Sequence, residues 1–186
     1  MRAAYYASVM FMDDQVGRIL DELDSLGLRE STAVVFTSDH GYHLGEHRFW
    51  LKSNLHEEVV RVPLIFSVPG HAPGRSKSIV ELVDIYPTLA ELAGLDRPSG
   101  LDGNSLTPIL EDPRAVVKEG ALSFNRGTSL RTSDWAYMRY QDESEELYDM
   151  NADPLQFDNL AQDPGYASQL HELRAALSER LAAVQK

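Results

Sequence analysis

Cysteine is absent from the 186 residues, which removes disulfides, thiolate zinc sites and cysteine nucleophiles. That absence does not fix a compartment, because exported proteins also exist without disulfides. Long apolar runs are missing too: no stretch reaches the ~20 residues that cross a bilayer. Met1-Arg2-Ala3-Ala4-Tyr5 leads straight into a helical pattern with no apolar signal core. Positive charge is scarce. Lys and Arg number 17 against 29 Asp and Glu, a net charge of −12. This balance disfavours nucleic-acid backbones and anionic membrane surfaces as partners. Any anionic ligand must be drawn by a local concentration of positive groups. The remainder is ordinary for a soluble globular chain: 43% hydrophobic and 25% charged residues, enough for one fair-sized core or two small ones.

Against that background one run stands out, Phe36-Thr37-Ser38-Asp39-His40-Gly41-Tyr42-His43-Leu44-Gly45-Glu46-His47, with Arg48 and Lys52 behind it. The apolar segment from Ala33 to Thr37 reads as a buried strand. It delivers Asp39 and His40 side by side into a glycine-bearing loop, and in an open α/β sheet ligands collect beyond the carboxyl ends of strands. Asp39 offers a hard oxygen and His40 an imidazole nitrogen, a pair suited to a divalent cation. Lys52 offers a compact positive charge for an anionic group. Each has a plainer reading beside it. Asp39 at a strand end is a common turn former, His40 can hydrogen-bond a carbonyl, and Lys52 taken alone is a solvated lysine.

Residues from about Ala4 to Leu26 read as an amphipathic helix with Tyr6, Val9, Met10, Val16, Ile19, Leu20 and Leu23 on one face and Gly27 as its stop. Asp13 and Asp14 point about 100° apart on such a helix and read as solvated. A second strand is expected over Val62–Val68, in a parallel sheet with the first, and a helical turn over Glu57–Val60. Asp84 is placed to cap a helix through Leu92, closed by Gly94. From Ala121 the pattern changes to short strands at Ala121–Phe124, Ser129–Arg131, Trp135–Tyr140 and Glu146–Tyr148, the mark of a small antiparallel sheet. Asp163-Pro164 opens a last helix, whose Leu170, Leu173, Leu177 and Leu181 face that sheet. His56, His71 and His171 read as surface or loop residues. Two buried-type strands after the first helix cannot cover both faces of a parallel sheet, so the chain is expected to be part of a larger fold.

Ser38-Asp39-His40-Gly41, with Leu44-Gly45-Glu46-His47 and Trp50-Leu51-Lys52 behind it, resembles the C-terminal portion of a type I sulfatase, and most nearly the iduronate-2-sulfatase-like branch. Tyr5–Val9, Asp14–Arg18, Val62–Phe66, Val83–Leu89 and Glu146–Met150, with Asp153-Pro154 and Asn159–Ala161, match the family's pattern in order across nearly the whole chain.

The resemblance implies an α/β fold: part of an alkaline-phosphatase-like sandwich over residues 1–115, then a small antiparallel sheet and terminal helix over 116–186. It implies sulfuric ester hydrolysis, with a sulfated carbohydrate or another sulfate ester as substrate. Carried over, Asp39 and His40 are ligands of a divalent cation, calcium foremost. Lys52 contacts a sulfate oxygen, and His47 orients the ester or protonates its leaving oxygen. His43, Tyr42 and Trp50 would shape the pocket.

The chain departs from the family in lacking the Cys-x-Pro-Ser-Arg motif that yields the formylglycine nucleophile, and the early aspartate pair. It is therefore expected to be inactive alone, its partner being the missing N-terminal half of the fold. Two other readings stay open: a phosphonate or phosphate ester hydrolase of the same superfamily, and a non-catalytic remnant. The compartment also stays open, periplasmic or secreted if a signal peptide precedes the missing half.

Overall fold

The computed structural model describes residues 1–184. It begins with helix α1 (Arg2–Ser25). Gly27 takes φ +66° just past the helix, so that its N–H reaches Asp24 O and the Leu28 N–H reaches Leu23 O. This is the paired closure that a left-handed glycine permits. The apolar face expected of α1 is present in sequence but uncovered. No residue of the helix is buried, and Tyr6, Met10, Phe11 and Ile19 are all exposed.

Strand β1 (Val34–Thr37) leads into the Asp39–His40 turn, followed by the two-residue strands β2 (His43–Leu44) and β3 (Trp50–Leu51), which pair antiparallel. A single helical turn, α2 (Glu57–Val60), precedes strand β4 (Leu64–Ser67). Here the sequence expectation is corrected: β1 and β4 pair antiparallel, Val34 opposite Ser67 and Thr37 opposite Leu64. The Gly41 N–H donates to Val59 O at 2.7 Å, which places α2 at the carboxyl end of β1. The chain therefore enters β4 from that end and runs back. A parallel partner would need a crossover returning to the amino end.

Helix α3 (Ile85–Leu92) starts after Asp84 and closes at Gly94, and the short helix α4 (Thr107–Glu111) follows. Asp84 does not cap α3 with its side chain. Its carboxylate is fully buried and accepts from the Glu81 and Asn104 N–H groups at 2.7 and 2.8 Å and from Lys118 Nζ at 2.6 Å. Lys118 also reaches Glu81 Oε2 at 2.5 Å. This buried network fastens the segment entering the second sheet to the start of α3.

That second sheet is a four-stranded antiparallel meander in the order β5 (Gly120–Phe124), β6 (Gly127–Thr132), β7 (Trp135–Tyr140), β8 (Glu145–Asp149). The free edge of β8 is covered: Leu160 N–H donates to Leu147 O, and Asn159 Oδ1 accepts from Leu147 N–H. The last helix, α5 (Ala167–Val184), follows a short turn in which Asp163 accepts from Gly165 N–H. Its Leu170, Leu173 and Leu177 pack with Leu130, Tyr137 and Leu147 on one face of the sheet. The opposite face is also buried. There Ala136, Met138, Tyr148 and Met150 close around Leu55, from the loop after β3. That plug joins the small sheet to the loop carrying Lys52.

Candidate functional site

The turn after β1 is held from several sides. Ser38 Oγ donates to His40 O at 2.9 Å, and the Gly41 N–H is committed to Val59. A Cβ at position 41 would sit 1.9 Å from Glu58 O, so only glycine allows this approach of turn to α2.

His40 Nδ1 lies 2.9 Å from Gly41 O. A carbonyl only accepts, so Nδ1 carries the proton and Nε2 presents its lone pair. That lone pair faces Lys52 Nζ in direct contact, with Asp39 Oδ2 3.4 Å away. The structure thus brings Asp39, His40 and Lys52 together. The Asp39 side chain is 83% exposed and that of His40 32%, so the group opens to the surface of the described residues. An imidazole lone pair beside a carboxylate oxygen is a donor set that fits a divalent cation. These are two ligands; among the described residues no group of three or more His, Asp or Glu converges as a metal site.

The segment from the end of β2 through β3 carries backbone strain. His47, Arg48 and Leu51 all take positive φ, at 51°, 63° and 75°, each costing on the order of 1 kcal/mol. Surrounding bonds hold it. Arg2 Nε donates to Leu44 O at 2.7 Å, and Tyr5 of α1 packs on Tyr42 with ring centres 5.3 Å apart. Glu46 accepts its own backbone N–H and that of Leu44, and these bonds hold its carboxyl below the usual range against the opposing effect of burial.

The remaining histidines gather elsewhere. His43, expected near a pocket, is fully buried, its Nε2 against the Asn54 carboxamide at 2.9 Å from Oδ1 and 2.7 Å from Nδ2. His47 stacks on His56 with ring centres 4.4 Å apart, and its Nε2 lies 3.5 Å from Glu58 Oε1. It sits in this second cluster, with Phe157 at 4.8 Å, rather than with His40 and Lys52.

His56, expected at the surface, is buried, and its Nε2 donates to Glu146 Oε2 at 3.1 Å. Asn54 and Glu58 carried no sequence signal, and Glu146 carried one only as part of the Glu146–Met150 strand pattern, not as a histidine partner. His71 and His171 are exposed, as are Asp13 and Asp14. Phe49, His56, Arg126, Tyr140 and Glu146 line a cavity of about 480 Å³ between the loop after β3 and the turns of the small sheet.

A family model described as Sulfatase matches residues 1–95. A choline-sulfatase of Rhizobium meliloti is 38% identical over 172 residues, covering 88% of this chain and 33% of the relative. Among solved structures, a complex with the substrate D-glucosamine-2-N,6-O-disulfate superposes with TM-score 0.90 at 31% identity, over 95% of this chain and 39% of that one. A phosphonate monoester hydrolase of Agrobacterium radiobacter does so with TM-score 0.90 at 27% identity, over 98% and 41%. The chain spans about one third of the length of the curated relatives it matches. The architecture is part of the alkaline-phosphatase-like α/β fold with its small antiparallel sheet.

Proposed function

The chain belongs to the sulfatase family, and from that premise we propose that it supplies the C-terminal part of a sulfuric ester hydrolase. Within it, Asp39 and His40 face a divalent cation and Lys52 faces the sulfate. The observation that carries this reading is the convergence of His40 Nε2, Asp39 Oδ2 and Lys52 Nζ at the end of β1. Family members generally use a divalent ion, which when bound polarises a sulfate oxygen; calcium is the ion proposed here.

The roles of the chain's own residues follow from their chemistry. Gly41 O accepts the Nδ1–H of His40, which leaves the ring's lone pair on Nε2; here it faces Lys52 Nζ, a contact that a bound cation would replace. The Lys52 ammonium is a fixed positive charge where negative charge develops during ester cleavage. In a chain of net charge −12 it is the local group that offsets repulsion of an anionic substrate. His47 keeps the weaker role of orienting the ester from the family resemblance alone, since its ring packs on His56 away from His40 and Lys52.

A sugar sulfate is the proposed substrate class, in the manner of the glucosamine disulfate complex. The finer reading, toward the iduronate-2-sulfatase-like branch, rests on the Asp39–Lys52 run and on Glu146-Leu147-Tyr148-Asp149. We place the boundary between the core part and the small sheet near residues 115 and 116. The uncovered apolar face of α1 supports packing against further protein of the same fold. Neither the Cys-x-Pro-Ser-Arg motif nor a serine version of it occurs in the chain, so the family's nucleophile is expected to lie outside it and the 186 residues alone to be inactive.

The test combines this chain with the N-terminal segment of a sulfatase relative and follows hydrolysis of glucosamine 6-sulfate. Turnover by the combination and none by either part is the expected result. Turnover by the purified chain alone, or none by a stably assembled combination, would count against the reading. A phosphonate ester hydrolase is the second reading, favoured by the superposition on the Agrobacterium enzyme; faster cleavage of a phosphonate monoester than of the sulfate would select it.

A further inference from the structure

We infer that His56 is a positioning residue for Lys52, tying the loop that carries the ammonium to the small C-terminal sheet. Lys52 is exposed and its side chain meets His40, so its place depends on how its backbone is held. On one side the support is the two-residue pairing of β2 with β3, too short to fix a loop unaided.

On the other side lie Asn54, Leu55 and His56. The Asn54 carboxamide meets buried His43, only a few residues past His40, and its Oδ1 also accepts the His56 N–H at 3.3 Å. Leu55, 1% exposed, plugs the face of β7 and β8. His56 Nε2 donates to Glu146 Oε2, which also accepts the Tyr148 hydroxyl at 3.0 Å. Burial raises the Glu146 carboxyl, but the bonds from His56 and Tyr148 outweigh it and leave the group below its usual range, an ionised acceptor.

The His56 ring lies nearly parallel to His47, 28° between planes, so the same imidazole also braces the strained part of the loop. Removing either the buried donor or its charged acceptor leaves the other unpaired at a cost. The clamp therefore makes the location of Lys52 conditional on β8, whose Glu146 lies ninety residues beyond His56 in sequence.

The inference rests on reading Lys52 as the anion-facing group, but concerns only where that group is held. NMR spectroscopy of the 186-residue protein tests it through the cross-peak between the Lys52 ε-methylene and the His40 ring. His56→Leu and Glu146→Leu are expected to abolish this cross-peak, whereas His56→Gln, which keeps an N–H donor, retains it. The Leu173 and Leu177 methyl signals under α5 should stay unshifted throughout.

Persistence of the cross-peak in His56→Leu, or its equal loss in His56→Gln, would overturn the inference. So would loss of the Leu177 signals in both leucine variants, since the clamp would then be part of the global packing. Titration with inorganic sulfate, followed at Lys52, addresses the functional reading separately. No sulfate response alongside the expected cross-peak pattern would remove that reading and leave the positioning role intact.

Discussion

His40 Nε2 and Lys52 Nζ are in contact across a loop of the chain, and the proton on His40 Nδ1 is fixed by the carbonyl of Gly41. The imidazole lone pair is thus already turned to a positive group. Which backbone positions sustain that arrangement leads to the first prediction.

Gly41→Ala would drive a methyl group into the Glu58 carbonyl. The turn or α2 must then move, with a loss of about 1–3 kcal/mol in urea unfolding and a disturbed His40–Lys52 contact. Gly17→Ala is the control. Nothing lies within 4 Å of that position in α1, and alanine there should stabilise by about 0.5–1 kcal/mol.

Lys118 joins Glu81 and Asp84 in a buried network. Lys118→Met leaves the fully buried Asp84 carboxylate without its cation, while Glu81 keeps Arg180 at 3.3 Å, and should destabilise by about 3–5 kcal/mol, read from the denaturant midpoint. Arg114→Ala, at an exposed pair with Asp112, should leave the midpoint nearly unchanged.

Stability should fall on both sides of neutral pH through one cluster. Tyr137 donates to Glu145, and Arg174 binds the same carboxylate. Burial, then Glu145, pushes the Tyr137 hydroxyl up to about 12. The folded state thus favours its neutral form: the contribution is full below the ordinary value near 10 and is lost as pH rises from there through about 12. Glu145 runs the other way. Its bond with Arg174 is the chief cause of a lowered pKa, so its contribution is present above the ordinary carboxylate range and lost as pH falls through the lowered value. Urea midpoints across pH should show both limbs, and Tyr137→Phe should blunt the alkaline one.

Leu177 is completely buried between α5 and the sheet. Leu177→Ala should cost about 2–5 kcal/mol in equilibrium unfolding. Because the other face of that sheet holds Leu55, the Lys52 loop should become more mobile as well, visible as faster amide exchange.

Local signals made much of this legible. Asp39 and His40 follow an apolar strand into a glycine turn, and Lys52 stands at a spacing that the family resemblance makes meaningful. The meander was readable from alternating patterns such as Trp135–Tyr140, and α5 from leucines at helical spacing. What escaped depends on distant partners. His56 looks like a loop histidine until Glu146 lies against it, and Asp84 looks like a helix cap until Lys118 arrives. The direction of β4 was hidden because a short apolar strand has the same composition in either orientation. Only the Gly41–Val59 bond decides where it begins. The apolar side chains of α1 were legible at helical spacing, but within residues 1–184 Tyr6, Val9, Met10 and Ile19 stay exposed while Val16, Leu20 and Leu23 are half-buried.

The most direct test of the central claim is paramagnetic broadening of the 186-residue protein by Mn²⁺, a probe for divalent-cation sites. The account predicts that the signals of Asp39 and His40 broaden first and that Asp39→Asn suppresses the effect. Broadening spread over the acidic surface of α1, with Asp39 and His40 no more affected than Asp13 and Asp14, would contradict it.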